Sequence, residues 1–183
     1  MAFKDNTLTF NDTKIVDTIT DMEVMMSWEA PVMEKSAEYI CSSKGDILEI
    51  GFGMGICADY IQAQGVNSHT IIEIHPQILE KLNIWASGKS NVTVIEGDWS
   101  AITLNSTYDG IFLDTFGDEN LSSFKNFAVA KAKSSTKVTY WNNFSEERNE
   151  RNFDNISFET ISVTPDDNIY FNSNTYYMPK VVL

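Results

Sequence analysis

Residues 46–55, Asp-Ile-Leu-Glu-Ile-Gly-Phe-Gly-Met-Gly, constrain this chain more than any other stretch. Ile47, Leu48 and Ile50 form a short, nearly continuous apolar run, as in a strand buried on both faces of a parallel sheet. Gly51, Gly53 and Gly55 follow at alternate positions, and Ile56 to Gln64 then reads as helix. Glycine permits a tight strand-to-helix turn and lets a ligand approach the backbone closely. The stretch predicts a nucleotide-cofactor loop at the head of an α/β sheet.

Two further features narrow the ligand. Glu49 precedes the loop, giving Glu-x-Gly-x-Gly-x-Gly, and Ile56 occupies the place of the third glycine in the dinucleotide fingerprint. His69 to Ile74 reads as a second strand bearing Glu73, about 20 residues on, where an acid accepts from ribose hydroxyls. Together these favour S-adenosylmethionine (SAM) over a nicotinamide dinucleotide. Glu49 also has a plainer reading as a loop-bracing carboxylate, and Glu73 as an exposed strand-end charge.

The 183 residues, 43% of them apolar, suffice for one domain and leave no room for a second. A net charge of −13 argues against nucleic acid and anionic membranes, and suits a cationic or neutral small acceptor. Two cysteines and two histidines match no metal or redox spacing, so no metal is expected. No run has membrane-spanning length and the first residues lack a signal-peptide core, which predicts a cytoplasmic protein, monomer or homodimer.

In chain order, residues 1–21 read as an N-terminal arm or lid with a short helix near 13–20, and 22–183 as a single domain. Residues 22–43 carry methionines and aromatics at helical spacing, with Pro31 kinking or splitting the helix. Further helices are expected over 76–87 and 119–133, and strands over 91–95, 109–115 and 136–141. Residues 156–163 and 174–182 alternate as a closing antiparallel pair. Gly97, Asp98 and Trp99 follow the third strand, where the acid could accept from an adenine amino group and the ring could pack on the base. Asp98 also reads as a helix N-cap. Asp114 ends the fourth strand at the carboxyl edge of the sheet, where α/β ligands bind.

Four segments together resemble guanidinoacetate N-methyltransferase and its arginine δ-N-methyltransferase relatives. They are Val24 to Met33 (containing Trp-Glu-Ala-Pro), Leu48 to Gly55, Tyr108 to Phe116, and Tyr176-Tyr-Met-Pro179. The resemblance implies a Rossmann-like class I methyltransferase fold: a mostly parallel seven-stranded sheet with an antiparallel last strand and helices on both faces. It implies SAM as cofactor and S-adenosylhomocysteine as product. The methionine end is then placed against Gly51, Phe52, Gly53, Met54 and Gly55, and the ribose against Glu73 beside Ile74. Glu29 and Asp114 fall on the two carboxylates that hold a guanidino group, with Asp114 proposed as proton acceptor and Glu29 as clamp. Trp28, Phe116, Asn142 and Asn143 complete the substrate set, and Asp114 also borders the cofactor. Phe116 stands where the family has tyrosine, and Asp98 matches methyltransferases at large, this family having an apolar residue there. The implied activity is SAM-dependent methylation of a guanidino or related amine nitrogen on a small molecule. Alternatives are methylation of protein arginine, or SAM binding without turnover.

Overall fold

Ahead of the glycine loop, β1 (Leu8–Phe10), β2 (Lys14–Asp17) and β3 (Met22–Met26) form a separate three-stranded antiparallel sheet in the computed structural model, which describes residues 2–183. The β-branched pair Ile15–Val16 suits a strand, so residues 14–17 pair with β1 and β3 instead of forming the helix expected near 13–20. The helix expected from residue 22 also starts later. Met22–Met26 is spent on pairing with β2, a 3-10 turn covers Ser27–Glu29, and α1 runs Ala30–Ile40. Pro31 sits in the first turn of α1, where its missing N–H costs nothing, so it opens a helix and does not kink one.

The rest of the chain alternates strand and helix. β4 (Asp46–Ile50), α2 (Ile56–Ala63), β5 (Ser68–Glu73), α3 (Pro76–Ala86) and β6 (Val92–Glu96) wind outward in one direction. β7 (Tyr108–Leu113) then returns to the far side of β4, followed by α4 (Phe124–Lys131) and β8 (Ala132–Tyr140). β9 (Ile156–Ser162) and β10 (Thr175–Val182) finish the sheet. The order is β6-β5-β4-β7-β8-β10-β9, with β10 antiparallel to both neighbours and the first five strands parallel. α4 is shorter than the helix expected over 119–133, because a 3-10 turn fills Leu121–Ser123 and pairing with β7 already claims Ala132.

Side-chain alternation sorts the core. Ile47, Phe112 and Ile71 face α1, α2 and α3, whereas Leu48, Ile50, Ile111 and Val138 face α4. Strand order reverses between β4 and β7, so a crevice opens where their carboxyl ends part, and open α/β sheets bind ligands at such a point. Gly51 and Asp114 stand at its two edges. No helix among the described residues is long and apolar enough to cross a membrane.

Candidate functional site

Gly51 leaves β4 at φ +91°, with its N–H donating to the Ile72 carbonyl at 2.9 Å. A Cβ there would collide with the Asp114 carbonyl oxygen, so the loop and the end of β7 touch through backbone alone. Gly51→Ala therefore combines an unfavourable φ with a backbone clash, each costing about 1–3 kcal/mol. It is expected to lower the melting temperature and abolish measurable S-adenosylhomocysteine binding, as thermal shift and calorimetric titration would read. Gly53 lies against the Met25 sulfur, which also accepts the Met54 N–H at 3.2 Å. Met25 thus braces the loop from β3, a role invisible in a sequence where it reads as one of several core methionines.

Three of the acids that line the crevice are held in different ways. Glu73 is 5% exposed and accepts the N–H groups of Phe52 (2.9 Å), Ile74 (2.8 Å) and His75 (2.8 Å). It ties the glycine loop to the end of β5, and burial pushes its carboxyl upward against those three donors. Glu49 is fully buried on β4, with Oε2 held by His69 Nε2 at 2.8 Å and Oε1 without a partner among the described residues. Asp98 is half-buried, and its Oδ1 accepts from the Ser100 N–H and hydroxyl, the turn-capping role. Trp99 beside it is buried edge-on against Phe124 and Phe127, with its indole N–H donating to Asp118 at 2.6 Å. Asp118, which also takes the Thr115 hydroxyl, orients that ring; no pattern in the sequence marks it.

Asp114 has no hydrogen-bonding partner for its carboxylate among the described residues. Burial pushes its pKa up, and the charges of Glu49 and Glu73 add to the shift. Glu29 is likewise raised, first by burial and then by Asp114, which places the two carboxylates in each other's field. Its Oε1 is doubly engaged, by the Met26 N–H at 2.6 Å and the Tyr170 hydroxyl at 2.7 Å. Behind it stands an aromatic wall. Tyr170 and Phe171, from the loop between β9 and β10, stack on Trp28 with ring centres 5.9 and 5.6 Å apart, and the Trp28 indole N–H is buried without a partner among the described residues. Tyr170 enters from 141 residues away in sequence, too far for local pattern to reveal.

A cavity of about 540 Å³ has Asp114 on its wall. It gathers Glu49, Gly51, Phe52, Gly53, Glu73 and Ile74 with Gly97, Asp98, Trp99, Asp114 and Phe116. Met54, Gly55, Trp28, Glu29, Asn142 and Asn143 lie off its lining. Gly55 is the N-cap of α2, and Asn143 is exposed. The Asn142 amide is spent on the Glu146 and Tyr177 carbonyls and the Phe144 N–H. Phe3 closes one side by packing on Phe116 (5.0 Å) and His75 (4.9 Å). The volume falls within the roughly 300–1,000 Å³ of small-molecule sites. An apolar stretch (Ile72, Ile78, Trp99), a carboxylate at mid-length and an unpartnered carboxylate oxygen fit the adenine, ribose and cationic ends of SAM.

A family model described as guanidinoacetate N-methyltransferase matches residues 1–145. Protein arginine N-methyltransferase 2 of Yarrowia lipolytica is 36% identical over 137 residues, which cover 68% of this chain and 28% of that protein. Its namesake from Saccharomyces cerevisiae is 28% identical over 211 residues, covering 95% of this chain and 51% of that protein. The chain therefore spans about half the length of these relatives, or less. Among solved structures, spermidine synthase from Thermotoga maritima superposes with a TM-score of 0.69 at 12% identity, over 96% of this chain and 72% of that one. An O-methyltransferase from Bacillus cereus in complex with S-adenosylhomocysteine gives 0.59 at 17% identity, over 84% and 81%. At these identities the structural likeness is one of fold.

Proposed function

The chain belongs to the guanidinoacetate N-methyltransferase family, and from that membership we propose that it methylates a guanidino nitrogen at the crevice between β4 and β7. One observation carries the reading: Asp114 presents a half-buried carboxylate, without a partner among the described residues, across the glycine loop and in the electrostatic field of a fully buried carboxylate, Glu29. SAM, when bound, supplies an electrophilic methyl group and leaves as S-adenosylhomocysteine.

The protein's part is to present a nitrogen lone pair. A guanidinium has a pKa of roughly 12.5–13.8, so removing its proton beforehand at pH 7 costs about 8 kcal/mol. Asp114 avoids that cost by binding the cation and taking the proton as the new N–C bond forms. Both its oxygens are open, so it can grip two N–H groups at once. Glu29 has Oε1 saturated and offers only Oε2, which suits a single contact that fixes the plane of the fork. The indole N–H of the preceding residue, Trp28, has no partner among the described residues. Holding the nitrogen in line is itself worth several kcal/mol.

For the cofactor, we assign the backbone at Gly51 and Gly53, with Glu49, to the methionine end, Glu73 to the ribose, and Trp99 with Asp98 to the adenine. Residues 1–21 serve as a lid, supported by Ala2, Phe3 and Lys4 on the cavity wall; Met1 lies outside the described residues. Two free buried thiols, Cys41 and Cys57, suit the cytoplasm.

A small guanidino compound and an arginine within a polypeptide are the competing acceptors. The second is favoured by charge: among the described residues Lys4 is the one cation on the lining, against six carboxylates, so an acceptor bearing its own carboxylate finds little to hold it. The relatives named above point the same way. The test is transfer from isotopically labelled SAM to guanidinoacetate, free arginine, agmatine, simple amines and arginine-containing peptides. Label on a guanidino nitrogen is expected. Label only on other amines, or none despite measurable SAM binding, overturns the acceptor assignment.

A further inference from the structure

Glu49 is an odd residue for the centre of a parallel sheet. It is fully buried, its strand neighbours are apolar, and the charged groups in its field are two more carboxylates, Glu73 and Asp114. Burial raises its pKa, and the thiol of Cys57 and the imidazole of His69 oppose that rise. A buried carboxylate without a good donor gives up its charge by taking a proton. The donor here comes from the adjacent parallel strand. His69 lies on β5, is itself fully buried, and holds Glu49 Oε2 through Nε2 at 2.8 Å. Its other nitrogen, Nδ1, is 3.2 Å from the Gln62 side-chain amide nitrogen on α2. An amide N–H can only donate, so Nδ1 must accept and the ring proton must sit on Nε2, facing Glu49. The remaining oxygen, Oε1, has no partner among the described residues, and Glu49 lines the cavity.

We infer that His69 and Gln62 are positioning residues for the methyl donor: Gln62 sets the His69 tautomer, and His69 keeps Glu49 ionised with Oε1 free for the ammonium group of the donor's amino-acid end. The inference rests on the cofactor reading above, and it makes a prediction that the reading alone does not. Loss of the His69 donor must weaken only those ligands that carry the ammonium.

The experiment is calorimetric titration of S-adenosylhomocysteine and of 5′-methylthioadenosine, which shares the nucleoside and lacks the amino-acid end. Wild type is compared with His69→Phe, His69→Gln and Gln62→Leu. His69→Phe is expected to weaken S-adenosylhomocysteine by roughly 10- to 100-fold, the size of a lost hydrogen bond to a charged group, with 5′-methylthioadenosine unchanged. His69→Gln, which keeps an N–H donor, is expected to restore most of that loss, and Gln62→Leu to show a smaller loss with the same selectivity. Equal weakening of both ligands, or of neither, overturns the inference and leaves His69 a packing residue. Should His69→Phe not fold, Gln62→Leu and the ¹⁵N shifts of the wild-type histidine decide; a ring without a proton on Nε2 overturns it. Failure of wild type to bind S-adenosylhomocysteine would instead overturn the cofactor reading, so the two failures are distinct.

Discussion

Replacing Asp114 by asparagine is expected to lower kcat for methyl transfer by about 100-fold or more, the scale of a lost general base, while S-adenosylhomocysteine affinity stays within about twofold. Asparagine has the shape of aspartate, and the contact with the glycine loop is made by the residue's backbone carbonyl, which the substitution leaves in place. What disappears is the negative charge and the seat for the departing proton. The pH dependence gives a second, independent signature. Burial and neighbouring charge raise the Asp114 carboxyl, so the acid limb of kcat/KM should lie well above the ordinary carboxylate range. A bound guanidinium favours the ionised form, so the limb in kcat should fall at lower pH than the limb in kcat/KM. An unmoved limb in the Asp114→Asn variant would make another group the proton acceptor.

Stability should move the other way from activity. A carboxyl raised in the native state holds its proton longer than in the unfolded chain, so stability falls as pH rises from about 4 through the raised value. Both Asp114 and Glu29 act in this sense, and Asp114→Asn removes one ionisation and relieves the other. The variant should melt no lower than wild type at pH 8. A lower melting temperature there would attribute the lost activity to damage of the fold.

Glu73→Ala is expected to do the reverse, removing cofactor binding and stability together. Its carboxylate accepts three backbone N–H groups, and their loss strips the glycine loop of its tie to β5. At about 1–3 kcal/mol for each buried donor left unpaired, the total is at least about 3 kcal/mol. For a domain of this size that lowers the melting temperature by roughly 6–12 °C. Glu73→Gln separates the two roles. Its carbonyl oxygen can still serve Ile74 and His75, so most of the stability should survive, while a ribose hydroxyl loses its charged acceptor. Full S-adenosylhomocysteine affinity in Glu73→Gln, read by titration beside a thermal scan, would reduce Glu73 to a brace.

What the sequence discloses about this site follows from how each part is built. The β4 strand, its glycines, Glu73 and Asp114 stand at strand ends, and strand ends announce themselves locally through apolar runs that stop at glycine or acid. That the sheet is mostly parallel with an antiparallel last strand is implied by the family resemblance, and the order of its strands comes from the structure. The stretch from Met22 to Met26 does not announce itself, because methionine fits helix and strand alike and its state is decided by pairing with β2. Met25, Tyr170 and Asp118 escape for a related reason. Each acts on a group brought to it by the tertiary fold, so its own neighbours in sequence carry no trace of the task. Asn142 errs in the opposite direction: it follows a strand end, yet its amide closes a turn.

The backbone contact between Gly51 and the Asp114 carbonyl has a consequence for redesign. The proposed seat of the donor and the proposed proton acceptor share one joint, so a change made at either strand end is expected to disturb both halves of the reaction. The loop between β9 and β10 is under no such constraint. It reaches Glu29 and Trp28 through Tyr170 and Phe171, and it belongs to neither strand that forms the joint. Selection for a new acceptor should therefore start from libraries in residues 163–174, with the ends of β4 and β7 held fixed.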